Sequence, residues 1–221
     1  MDFHDDDDDD QLSVIYSLGE SQADYGATYG CMAMALMYAM ASMDSRNPAT
    51  LDHADIMTTG AALHRTWKNA TKDKHHFAYL KESMSACPDN TINQMVRISE
   101  EYTGFLGNAS QKKDFAHVPL QVAIESIPVG RSGVLTYSIN AICVCRDKLN
   151  RFWIIDTHPR DPKTGFPRQN IISNHVKASG VAICFNSSIY DLCEHVNSLA
   201  RSSSIFPVCY EFCLIELIKT R

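Results

Sequence analysis

Four side chains have types and settings suited to covalent chemistry: Cys31, His158, Asp156 and Gln22. Cys31 stands between a Gly-containing loop, Gly19 to Gly30, and the run Met32 to Met40, which is rich in strong helix formers. A sulfur in the first turn of a helix sits beside unpaired amides and the positive end of the helix dipole, which favour thiolate over thiol. Tyr29-Gly30 just before it lets the chain turn sharply and leaves space beside the sulfur. The plainer reading is that Cys31 is the first apolar residue of a core helix.

A thiolate nucleophile needs a base, and the chain has nine histidines. His4 lies among aspartates, His75 and His76 fall in a Lys-rich stretch, and His53 and His64 fall on a second helical segment. His117, His175 and His195 lack a carboxylate at a telling spacing, apart from Glu194 beside the last. His158 differs, because it follows the apolar run Phe152-Trp153-Ile154-Ile155 in the segment Asp156-Thr157-His158-Pro159-Arg160. Residues two apart in an extended chain face the same way, so Asp156 can take the Nδ1 proton of His158 and leave Nε2 for the thiol. That is the orienter–base relation of a catalytic triad. The alternative is a carboxylate capping a turn beside a part-exposed loop histidine. Gln22 lies in the loop before Cys31, where its amide can join the Cys31 backbone N–H in holding the oxyanion of an attacked carbonyl. The alternative there is a solvated loop amide. Glu20 and Asp24 flank it and are placed to attract basic substrate groups.

These residues need a scaffold. Leu12–Ser17 alternates like a short strand, and Cys31 begins a helix apolar on every side, the mark of a core element, which ends near Ser45–Pro48. Leu51 to Ala70 reads as a second helix opened by Asp52 or Thr50. Helical pieces are expected around Phe77–Met84, Asn93–Glu101 and Val118–Ile127. The runs Val134–Tyr137, Ala141–Arg146, Phe152–Asp156, Val181–Phe185 and Tyr210–Ile218 are strand-like, separated by turn residues, and Ile189–Ala200 returns to helical spacing. A helical first half with a central apolar helix packed on a mainly antiparallel sheet is α+β architecture.

Composition narrows the function classes. With 45% hydrophobic and 21% charged residues in 221, the chain is an ordinary globular protein, expected as a single domain over 12–221 behind a disordered acidic tail at 1–11. The net charge of −6 belongs to that tail: seven of the 26 acids are Asp2 and Asp5 to Asp10, and the remaining 19 face 20 Lys and Arg. A neutral body has no basic stripe for phosphate contacts, so nucleic acid is not an expected partner. The longest apolar run, Cys31 to Ala41, is far short of the ~20 residues a membrane span needs. Without a basic and apolar leader, a soluble cytoplasmic chain is expected. Its eight cysteines contain no Cys-x-x-Cys pair and are expected mostly as reduced thiols, with neither a metal nor a cofactor.

Gln22, Tyr25-Gly26 and Gly30-Cys31 opening an apolar helix resemble the N-terminal deubiquitinase domain of herpesvirus large tegument proteins. So do the strand Phe152 to Arg160 ending in Asp-x-His-x-Arg with Gly165 beyond it, and Gly180 to Phe185 before a helix at Ile189. The likeness runs from about Gln22 to Val196, with residues 45–130 adding little. The Gln-to-Cys spacing is shorter than in that family, and Gly30 replaces a common Gln. The resemblance implies a papain-like cysteine peptidase fold, Cys31 as nucleophile, His158 as base, Asp156 as orienter and Gln22 as oxyanion donor. It further implies cleavage after the C-terminal Gly-Gly of ubiquitin or polyubiquitin, and host cytoplasm or nucleus as the location of a viral chain. A Gly-Gly site needs a narrow channel, which Tyr25, Tyr29 or Trp153 have the size to wall. The rival readings are a related thiol protease or acyltransferase with another substrate, and a non-catalytic module that docks a ubiquitin-type partner.

Overall fold

The structure is a computed structural model describing residues 13–27, 29–71, 80–106, 117–167, 177–186, 188–203 and 208–218. The acidic tail at 1–11, His75 and His76 therefore lie outside the described residues. The strands are β1 (Val14–Ser17), β2 (Val96–Leu106), β3 (Arg131–Tyr137), β4 (Asn140–Arg146), β5 (Phe152–Arg160), β6 (Ser179–Cys184) and β7 (Val208–Leu217). The helices are α1 (Cys31–Ser42), α2 (His53–Ala70), α3 (Leu80–Ser85), α4 (Thr91–Met95), α5 (Leu120–Glu125) and α6 (Ile189–Ser203).

All seven strands join one antiparallel sheet in the order β1-β6-β5-β4-β3-β7-β2. Side chains alternate between its faces, and each face has its own apolar core. Val134, Cys143, Trp153, Ile155 and Ala182 share one core with α1, while Leu135, Val144, Ile154, Ile183 and Phe212 share the other with α5 and α6. A helix apolar on all sides can be stable only if both flanks are covered, and α1 is: it contacts β3, β4 and β5 as well as α2. Met34, Leu36 and Tyr38 are fully buried, each contributing on the order of 1.5–3 kcal/mol. At Gly60 of α2 a Cβ would stand 2.9 Å from Met34 Cγ, so a glycine sets how closely the two helices approach.

The expected elements are present, with two differences that matter. The helical piece expected at Asn93–Glu101 is only the short α4, and the chain continues as the long edge strand β2. A bulge between Ile98 and Glu100 hides this strand's alternation. Before the bulge, Val96 and Ile98 pack on the α1 side, and after it Tyr102 and Leu106 pack on the other. The second difference is that β5 does not stop at Asp156 but runs through Pro159 to Arg160. No helix among the described residues is long and apolar enough to cross a membrane, and all eight cysteines are free.

Candidate active site

The loop before α1 is built from short backbone links. Ser21 donates its N–H and Oγ–H to Asp24 Oδ2 at 2.8 and 3.0 Å, which shapes the single 3₁₀ turn Gln22–Tyr25. Gly26 ends the turn in the left-handed region, at φ 64°, where a Cβ is disfavoured. Ala27 N–H then donates to Gln22 O (3.1 Å), and Gly30 N–H to Ala27 O (2.7 Å). Gly30 is the residue before the helix and takes an ordinary negative φ of −88°, so its role is not the sharp turn expected of it. A Cβ there would lie 2.8 Å from Ala27 Cβ and 3.0 Å from Ala27 O. Glycine is required because the loop folds back onto itself.

Cys31 thus opens α1, which has no side-chain cap and no acid in its first turn to neutralise the dipole. The residue is 6% exposed. Its sulfur lies 3.7 Å from the carbonyl oxygen of Ile139, at the tip of the hairpin joining β3 to β4. That tip turns through Ser138 at φ 52° and leaves Ile139 80% exposed.

β5 supplies the other half. Its pairing with β6 is interrupted: Asp156 faces Val181 and Arg160 faces Ser179, so four steps on β5 match two on β6. Such bulges re-aim side chains. Within this one, Asp156 Oδ1 accepts from the His158 backbone N–H at 2.9 Å and from Nδ1 at 2.6 Å. Asp156 Oδ2 accepts from Arg160 Nε and Nη2, both at 2.7 Å. Burial alone would raise the Asp156 carboxyl, but Arg160 and His158 hold it well below the usual carboxylate range. Burial alone would lower His158, but the Asp156 carboxylate and a direct interaction with the Cys31 side chain lift it to about 10. The sulfur, the imidazole and the carboxylate expected from the sequence stand together in that order.

Gln22 is 2% exposed rather than solvated, and its Oε1 accepts from the Thr157 hydroxyl at 3.1 Å. It is therefore bound to the strand that carries His158. Glu20 and Asp24 are engaged within the turn, Glu20 accepting from the Tyr25 hydroxyl and Asp24 pairing with Lys177 at 3.0 Å as well as Ser21. Trp153 walls no channel: it is fully buried, with Nε1 donating to Asp147 Oδ2 at 2.9 Å. Tyr29, two residues before the sulfur, is 66% exposed. Sequence reasoning placed Arg160 in the Asp-x-His-x-Arg motif without giving it a role, and missed Thr157 and Ile139. Arg160 continues the every-second-residue series of Asp156 and His158, so its link to the acid was open to inference from spacing alone. Thr157 and Ile139 carry no sequence signal, since their partners are 135 and 108 positions away.

By sequence, no protein-family model and no curated protein matches this chain. Its structure is similar to the crystal structure of the ubiquitin-specific protease encoded by murine cytomegalovirus tegument protein M48, determined in complex with a ubiquitin-based suicide substrate. The TM-score is 0.63 at 14% identity, covering 94% of this chain and 88% of the other. At that identity the likeness is one of architecture, and this chain has the helix-and-antiparallel-sheet fold of a herpesvirus tegument ubiquitin-specific protease.

Proposed function

We propose that the protein is a deubiquitinase with a papain-like arrangement, a thiol hydrolase that cleaves the peptide or isopeptide bond after the C-terminal glycine of ubiquitin. The observation that carries this reading is the Asp156–His158 pair on β5 meeting the Cys31 side chain at the start of α1. The likeness to a protease captured with a ubiquitin-based substrate supports ubiquitin as the partner.

The residues divide the reaction between them. His158 Nδ1 is held by Asp156, so Nε2 is the nitrogen that takes the Cys31 proton, and a base whose protonated form is this stable takes it readily. The sulfur attacks the glycine carbonyl carbon, and its electron pair displaces the carbonyl π pair onto oxygen. The Gln22 amide and the Cys31 backbone N–H stabilise that oxyanion. Collapse breaks the C–N bond as His158 returns the proton to the leaving amine, and the acyl group remains as a thioester on Cys31. Water, deprotonated by the same imidazole, then releases ubiquitin with a free carboxylate and restores the thiol. The small exposed surface at Cys31 suits a thin glycine tail.

Turnover of a ubiquitin C-terminal aminocoumarin reporter tests this, with Cys31→Ala as the control. The expected result is release of fluorophore by the parent chain and none by the variant. Equal turnover by both would remove the proposal.

A further inference from the structure

The bulge in β5 does more than present His158. Thr157 stands between the two acid–base residues, and its hydroxyl donates to Gln22 Oε1. Both side chains are only 2% exposed, so neither has bulk water as an alternative partner. The two ends of a carboxamide are nearly the same size, and a buried glutamine is oriented by whatever its ends bond to. An Oε1 that accepts a hydroxyl proton places the N–H donors on the far side of the group. Reversed, the same amide would set a carbonyl dipole where negative charge develops and would oppose the reaction.

We infer that Thr157 is the positioning residue for Gln22, holding the carboxamide in place with its Oε1 on β5 and its N–H donors toward the reacting carbonyl. This rests on the reading of Gln22 as the oxyanion donor. Through it, one five-residue segment, Asp156 to Arg160, sets both the base and the oxyanion donor.

Thr157→Val removes the hydroxyl and keeps the shape, Thr157→Ala repeats the removal with less bulk, and Thr157→Ser restores the hydroxyl. Each is assayed in the full chain with the ubiquitin reporter and with p-nitrophenyl acetate, and Cys31 alkylation by iodoacetamide is timed in parallel. Acyl transfer forms an oxyanion and alkylation does not. The valine variant should lose about tenfold or more in kcat on both substrates with KM within about twofold, while its alkylation rate is unchanged. The serine variant should recover most of the loss, and Thr157→Val should add nothing in a Gln22→Ala background. An undiminished kcat, a slowed alkylation, or a loss that multiplies with Gln22→Ala would each overturn the assignment. Should Thr157→Val fail to fold, the alanine and serine pair decides. Ester turnover without ubiquitin turnover would sink the deubiquitinase reading and leave the Thr157 test standing. Turnover of neither substrate would overturn both.

Discussion

Arg160 holds Asp156 through two nitrogens, Nε and Nη2, each 2.7 Å from the same carboxylate oxygen, with 6% of the arginine and 1% of the aspartate exposed. The other oxygen is thereby reserved for His158. A buried carboxylate shared between a permanent cation and an imidazole stays ionised, which is what the proposed role of orienting His158 requires. Replacing Arg160 with methionine keeps the apolar stem and leaves the acid short of a partner. The expected cost is about 3–5 kcal/mol of stability, the usual result of stripping one member from a buried pair. Urea midpoints at pH 7 measure it. A variant as stable as the parent would mean that the clamp contributes nothing.

The same ion pair sets a pH window. The folded carboxyl of Asp156 is depressed, so its contribution to stability is present above the unfolded value, about 4, and is lost as pH falls below it. The folded imidazole of His158 is raised, so its contribution is complete below about 6.5 and lost as pH rises through about 10. The parent chain should therefore be most stable between about pH 4 and 6.5, weakening on both sides.

Activity should follow the alkaline side of that window. In the proposed reaction the leaving amine needs the proton that His158 carries, so kcat/KM on the ubiquitin reporter should fall as pH rises through about 10. Asp156→Asn removes the main cause of the shift, and burial then dominates. The alkaline limb should drop to or below the ordinary imidazole range, with kcat reduced on the order of 10²–10⁴. A pH–rate profile of the asparagine variant with the parent's alkaline limb would separate Asp156 from the imidazole.

Much of this site was legible because it is written in local patterns. The helix apolar on all sides could only be a buried one, and Asp-x-His needed only the period of two to face one way. The Asn93–Glu101 segment was misread because the bulge at Ile98–Glu100 breaks the alternation that marks a strand. Gln22 stood out as a candidate oxyanion donor by its place before Cys31, but the partner that tells it from a solvated loop amide is a hydroxyl on β5, far along the chain. Ile139 beside the sulfur is likewise a product of tertiary packing, as is the need for glycine at position 30.

Gly30→Ala should be costly for a reason unrelated to backbone freedom, since φ there is accessible to any residue. The added methyl meets Ala27 Cβ at 2.8 Å and its carbonyl oxygen at 3.0 Å, so the loop carrying Gln22 must move outward. Overpacking of this kind costs about 1–3 kcal/mol. It should also lower kcat on the reporter more than the loss of folded protein accounts for, because Cys31 and Gln22 are tied through this loop. Thermal unfolding alongside kinetics under conditions where the variant is fully folded checks both. An alanine variant with parental stability and rate would show that the loop yields freely.

Two exposed side chains flank Cys31 from different parts of the chain. Ile139 stands at the β3–β4 tip whose carbonyl touches Cys31, and Tyr29 precedes the helix. An isoleucine 80% exposed gains little from folding, and under the proposed function it stands beside the thiol, where an apolar surface of ubiquitin could meet it. Ile139→Asp leaves the backbone and the acid–base pair in place and adds a charge to such a contact. KM for the ubiquitin reporter should rise about tenfold, equivalent to about 1.4 kcal/mol, with kcat within about twofold. Hydrolysis of p-nitrophenyl acetate, which brings no ubiquitin surface to the tip, should change far less. An unaltered KM would place the ubiquitin contact elsewhere, and equal loss on both substrates would show that the substitution had disturbed the thiol itself.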